Sequence, residues 1–132
     1  MRIARGPRSL SSRAILNYGH TAGHALEAAS RFRVSHGRAV AFGMRVAAKI
    51  ALSLDLCSAR MVEAQDALLT EFGLPDRPPA VDPARVLAAI PRDKKARRGK
   101  VAWVMPRRLG HAETGHAVPP AVVRRVVRRA LA

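Results

Sequence analysis

His20, His24 and His36 are the residues of this chain best suited to chemistry. Three of the five histidines fall within seventeen residues, in the run Arg13-Ala-Ile-Leu-Asn17-Tyr-Gly-His20-Thr-Ala-Gly-His24-Ala-Leu-Glu27 and the later Ser35-His36-Gly37. His20 and His24 are four apart, so on a helix their rings leave one face a single turn from each other. His36 follows a short break and can return toward that face. Neutral imidazole is a common ligand for zinc and similar ions, and it is also the general acid or base best matched to neutral pH. A lone histidine is more often a structural residue on a half-buried face. Three at this spacing, with Gly19 and Gly23 thinning the surface beside them and Arg13 and Asn17 close by, favour a site.

The elements that must position these side chains are legible from apolar spacing. Asn17 to about Ser30 is predicted as a helix with Ala22, Ala25, Leu26 and Ala29 on its packed side. After a connection at residues 31–35, His36-Gly37 opens a long helix to about Leu56, with Val40, Gly43, Val46, Ala47, Ile50 and Leu54 as its stripe. Ser58 is a natural N-cap for a third helix running to Phe72 and stopped by Gly73. Residues 75–79 (Pro-Asp-Arg-Pro-Pro) form a stiff linker, and Asp82-Pro83 caps and starts a short helix ending near Ile90. Residues 100–105 alternate as a strand, with His111 to Val118 as its hairpin partner. Pro119 and Pro120 introduce a last helix over 121–131, whose Val122, Val123, Val126 and Val127 back onto paired arginines. The fold class expected is mainly α: a multi-helical domain with one small antiparallel β-hairpin. Residues 1–12 are read as a basic lead-in, expected to be disordered, and 13–132 as one helical metal- and substrate-binding domain.

The histidine stretch resembles the metal-site segment of the 3-dehydroquinate synthase family, the sugar-phosphate cyclases. That family reads Arg-x-x-Leu-Asn-Phe/Tyr-Gly-His-Thr-x-Gly-His-Ala-Ile/Leu-Glu, followed by a His-Gly-Glu that opens a long helix. Arg13 to Glu27 follows the first pattern position by position, and His36-Gly37 falls at the family's spacing. Asp93-Lys94-Lys95, then Lys100-Val-Ala-Trp-Val-Met-Pro106 and Leu109-Gly110, resemble the family's later Asp-Lys-Lys, strand and Pro-x-x-Ile-Gly run. The likeness covers about residues 10 to 115, in consistent order.

The resemblance implies a division of labour. In the family, NAD transiently oxidises a hydroxyl of a phosphorylated seven-carbon keto sugar acid; phosphate is eliminated, the carbonyl is reduced again, and the ring reopens and closes by an aldol step. A divalent ion, zinc before cobalt, grips adjacent hydroxyls and stabilises the oxyanion formed on oxidation. By resemblance, His20 and His36 are two of three protein ligands to that ion. His24 takes the place of an unligated histidine that passes protons. Arg13 and Asn17 take substrate-contacting places, Arg13 as a fork for phosphate, and Lys94 or Lys95 matches a lysine that binds the anionic substrate. The family's NAD domain and its carboxylate ligand belong to an N-terminal half, yet these 132 residues hold no glycine-rich strand–helix turn. The chain therefore reads as the C-terminal domain of such a cyclase, inactive by itself, with NAD reaching it only through a separate N-terminal half. Where the family has His-Gly-Glu, this sequence has His36-Gly37-Arg38. A cation two residues from a metal ligand would weaken the ion if it pointed inward, which keeps a non-catalytic remnant that binds phosphate-bearing partners as the alternative.

Composition narrows the remaining classes. At 48% hydrophobic and only 4% aromatic, 132 residues suit one core of closely packed Ala-, Val- and Leu-rich helices. Cys57 is the single cysteine, which suits a reducing compartment, and residues 1–13 lack the apolar stretch of a signal peptide; a cytoplasmic protein is expected. The apolar run over 39–54 is interrupted by Arg45 and Lys49, so no membrane span is expected. The net charge of +15 is concentrated near the ends and in residues 92–108, because residues 14–91 carry eight basic against seven acidic side chains. Positive surface attracts phosphate. With no aromatic residue interleaved in the basic runs, the pattern favours a small phosphorylated substrate over nucleic acid. A homodimer is left open.

Overall fold

In the computed structural model, residues 18–77, 79–90, 101–108 and 111–132 are described. Apolar spacing and capping chemistry place five helices and one hairpin there: α1 (His20–Ala29), α2 (His36–Ser53), α3 (Ala59–Glu71), α4 (Pro83–Ala89), β1 (Val101–Arg108), β2 (His111–Val118) and α5 (Pro120–Ala130). The mainly α class with one antiparallel hairpin is therefore the observed architecture. The expected disorder of residues 1–12 falls outside the described residues.

The caps act as their residue types require. The Ser35 hydroxyl accepts from the Arg38 amide at 3.4 Å, and the Ser58 hydroxyl accepts from the Met61 amide at 3.1 Å. The Asp82 carboxylate accepts from the Ala84 amide at 3.0 Å, with Pro83 in the first turn where its missing N–H costs nothing. The hairpin pairs Val101 with Val118 and Trp103 with His116, then shifts register before Met105–Glu113 and again before Arg108–His111. The first strand runs three residues beyond the expected Met105, through Pro106, because a two-stranded ribbon leaves an unpaired edge where a proline is tolerated.

α2 is the centre of the molecule. Its Val46, Ala47, Ile50 and Ala51 are buried against Ala22, Ala25 and Leu26 of α1, Val86 of α4, Trp103 and Met105 of β1, and Val123, Val126 and Val127 of α5. Each buried Leu, Ile or Val contributes about 1.5–3 kcal/mol relative to exposure. The predicted stripe is thus the observed one, with Val40 and Leu54 half-buried at its two ends.

α1 and α2 approach closely because the facing residues have no side chains. A Cβ at Gly43 would lie 1.8 Å from the Gly19 carbonyl oxygen, and one at Gly23 would lie 2.9 Å from the Ala39 oxygen. Gly19 also caps α1 with φ +86°, a left-handed conformation that glycine adopts at little cost.

Arg45 does more than interrupt an apolar run. It is buried in α2, its Nε donates to the Asp66 carboxylate of α3, and its Nη2 donates to the Leu74 carbonyl at 2.7 Å. Tyr18 reinforces the same junction. Its hydroxyl donates to the Met44 carbonyl at 3.2 Å and is also bonded to Gln65. Burial raises the Tyr18 phenol well above its ordinary pKa, against the opposing effect of the Gln65 bond.

Candidate functional site

Two elements build the histidine cluster. Gly19 starts α1 one residue before His20, so His20 and His24 occupy its first two turns on one side. The chain then reverses through residues 30–34, and Ser35 starts α2 with His36 as its first residue. The reversal is tied by backbone: the Phe32 amide donates to the Glu27 carbonyl at 2.7 Å, and the Ser30 hydroxyl donates to that carbonyl at 3.1 Å and accepts from the Val34 amide at 3.3 Å.

The outcome is convergence. Ring centroids lie 4.8 Å apart for His20–His24, 6.0 Å for His20–His36 and 6.4 Å for His24–His36. Two imidazoles sharing one tetrahedral ion at Zn–N distances of about 2.0–2.1 Å would have centroids roughly 5 Å apart. The His20–His24 pair matches that spacing, and the two pairs that include His36 lie about 1 Å or more wider.

Glu27 completes the cluster. Its two carboxylate oxygens sit 3.2 and 3.3 Å from His36 Nδ1. A hydrogen on Nδ1 donated to Glu27 leaves Nε2 with its lone pair free, the tautomer a metal ligand needs. The Glu27 side chain is mostly buried while that of His36 is open to solvent, so the carboxylate orients the ring from behind. Burial, and then the neighbouring His24 and His36, lowers the pKa of His20 against the smaller raising effect of Glu27. The shift favours the neutral form of His20, the form that coordination requires. Among the described residues, no three His, Cys, Asp or Glu side chains form a ready metal cage. The donor chemistry fits two imidazole nitrogens that would need a further ligand.

Glu27 is the functional residue that spacing alone did not single out. Its signal was present: a glutamate seven residues after His20 and three after His24 lies on the same side of the helix. Arg13, Asn17, Lys94 and Lys95 lie outside the described residues. Arg38 stands two residues from His36, about 200° around α2. It lines a cleft that includes none of the three histidines. The concern that its cation opposes a bound ion therefore loses its geometric basis.

Comparison with known proteins agrees with the fold. The model of the 3-dehydroquinate synthase C-terminal family matches residues 2–96. The 3-dehydroquinate synthase of Synechococcus sp. is 39% identical over 127 residues, covering 95% of this chain and 34% of that protein. The one from Gloeobacter violaceus is 42% identical over 127 residues, again 95% of this chain and 35% of that protein. Among solved structures, a 2-deoxy-scyllo-inosose synthase complexed with carbaglucose-6-phosphate, NAD+ and Co2+ superposes with a TM-score of 0.80 at 28% identity, covering 90% of this chain and 35% of that one. A 2-epi-5-epi-valiolone synthase from Streptomyces hygroscopicus, with NAD+ and Zn2+ bound, shares the fold with a TM-score of 0.71 at 22% identity. The chain belongs to the 3-dehydroquinate synthase family and corresponds to its C-terminal part. It spans about a third of the length of the curated relatives it matches.

Proposed function

We propose that this chain is the metal- and substrate-binding half of a sugar-phosphate cyclase, specifically of 3-dehydroquinate synthase type, acting in the cytoplasm with a separate N-terminal NAD-binding half. The observation that carries the reading is the convergence of three imidazoles at 4.8–6.4 Å, with Glu27 behind His36. The names of the curated relatives support 3-dehydroquinate synthase over the other cyclases.

In this reading His20 and His36 hold a divalent ion, zinc or cobalt, and the N-terminal half contributes the remaining carboxylate. Bound there, the ion would polarise the substrate's hydroxyls and stabilise negative charge on oxygen. Glu27 fixes the His36 ring and its tautomer. His24 stands beside both ligands yet is free to carry a proton between substrate oxygen and solvent, the general acid–base role that imidazole suits. Arg13 and Asn17, which precede α1, contact the substrate, Arg13 at its phosphate, and one of Lys94 and Lys95, which follow α4, binds its anionic groups.

The test is complementation. The chain is mixed with the N-terminal half of the Synechococcus relative, NAD, cobalt and the seven-carbon keto sugar acid phosphate, and phosphate release is followed. Recovery of turnover that His20→Ala abolishes is the expected result. Cobalt's visible absorption, measured on the same mixtures, separates metal loss from catalytic loss. Failure to recover turnover, with no nitrogen-ligated cobalt spectrum, would overturn the proposal.

A further inference from the structure

Five of the eight basic residues between positions 14 and 91 line one open cleft of about 880 Å³: Arg31, Arg33, Arg38, Arg77 and Arg85. The cleft lies between the α1–α2 reversal, the first turn of α2, the proline-rich linker and the start of α4. Among the described residues its one acidic lining residue is Asp82, whose carboxylate also caps the Ala84 amide. Among the described residues no carboxylate forms an ion pair with any of the five arginines. Five like charges gathered against one carboxylate among the described lining residues repel, and an anion of matching charge density relieves that repulsion.

The backbone is shaped for this gathering. Arg31 and Phe32 have φ of 54° and 62°, left-handed values that are uncommon for side chains of their size. Two such residues in succession are held by the hydrogen bonds of the reversal, and they let Arg31 and Arg33 both reach the cleft. Strain of this kind persists where surrounding structure fixes it, and it concentrates at binding sites.

We propose that the cleft binds a compact small molecule bearing several phosphate groups. Its volume lies within the range of small-molecule sites. Guanidinium forks suit phosphate oxygens, and five of them call for more charge than a single carboxylate carries. Among the described residues no aromatic side chain lines the cleft, so the phosphates, and not a stacked base, carry recognition. The site is separate from the histidine cluster, and the inference does not rest on cyclase activity.

The experiment is calorimetric titration of inorganic triphosphate into the 132-residue chain at low salt. Saturable one-to-one binding is expected, weakening as sodium chloride rises. Sulfate at matched ionic strength should bind at least about tenfold more weakly, having fewer charges to share among the forks. The double variant Arg33→Ala/Arg77→Ala, both at exposed positions, should lose roughly tenfold or more, since bonds to charged groups carry most of the affinity. Arg60→Ala, exposed on α3, should change nothing. Absence of saturation, an equal loss with Arg60→Ala, parity between sulfate and triphosphate, or tighter binding of a single-stranded oligonucleotide would overturn the proposal.

Discussion

At the scale of single residues, Glu27 and Arg38 divide the histidine site's surroundings between them. Glu27 contacts His36 Nδ1 through both oxygens, and orienting carboxylates of this kind set ligand basicity. Glu27→Gln should therefore weaken zinc or cobalt binding by about 10- to 100-fold with the helices intact, measured by competition against a metal-sensitive dye. Unchanged affinity would show that the carboxylate does not orient the ligand. Arg38→Glu is a sharper contrast. With Arg38 on the arginine-lined cleft, reversing its charge should alter metal affinity by no more than about fivefold, the scale of exposed charge interactions. A large gain in affinity would mean that the side chain turns toward the histidines. The sequence revealed the three histidines because helical period and motif order are local. It did not reveal the role of Glu27, which depends on how the reversal at residues 30–34 returns His36 to α1.

At the scale of elements, the spacing of α1 and α2 sets the distances within the cluster. Gly43 meets the Gly19 carbonyl so closely that a methyl group cannot fit without moving a helix. Gly43→Ala should cost about 3 kcal/mol in urea unfolding, at the upper end of overpacking effects. A loss below about 0.5 kcal/mol would mean the crossing is looser than drawn. Tyr18, the chain's single tyrosine, reports the α2–α3 junction alone. Its folded pKa is raised above the unfolded value of 10, so its contribution to stability is complete below pH 10 and is lost as pH rises beyond it. Tyrosinate absorbance should thus develop together with unfolding and not at pH 10, and Tyr18→Phe should flatten the alkaline loss of stability. Normal titration in folded protein would refute the burial. Helix positions were readable from Ser58, Asp82-Pro83 and the valine stripe of α5, since caps and periodicity act within a few residues. The tie from Arg45 to Asp66 was not readable, because a charged residue in an apolar stretch reveals its partner only when another helix is placed beside it.

At the scale of the whole molecule, two clusters, the three histidines and the five arginines of the cleft, lie apart in one small fold. The near-neutral charge count of residues 14–91 conceals the arginine cleft, because counting along a chain averages what folding separates. The isolated 132-residue chain is expected to show no phosphate release with NAD, metal and the seven-carbon substrate, since none of its segments carries a dinucleotide-binding turn. Turnover by the chain alone, measured as NAD-dependent phosphate release, would refute the division into halves. Both sites nonetheless meet at the start of α2, where His36 and Arg38 share a single helical turn behind the Ser35 cap. An occupant that shifts this turn shifts both. Thermodynamic reciprocity would then bind the two sites to one number: whatever factor a bound polyanion applied to metal affinity, the metal would have to apply to the polyanion.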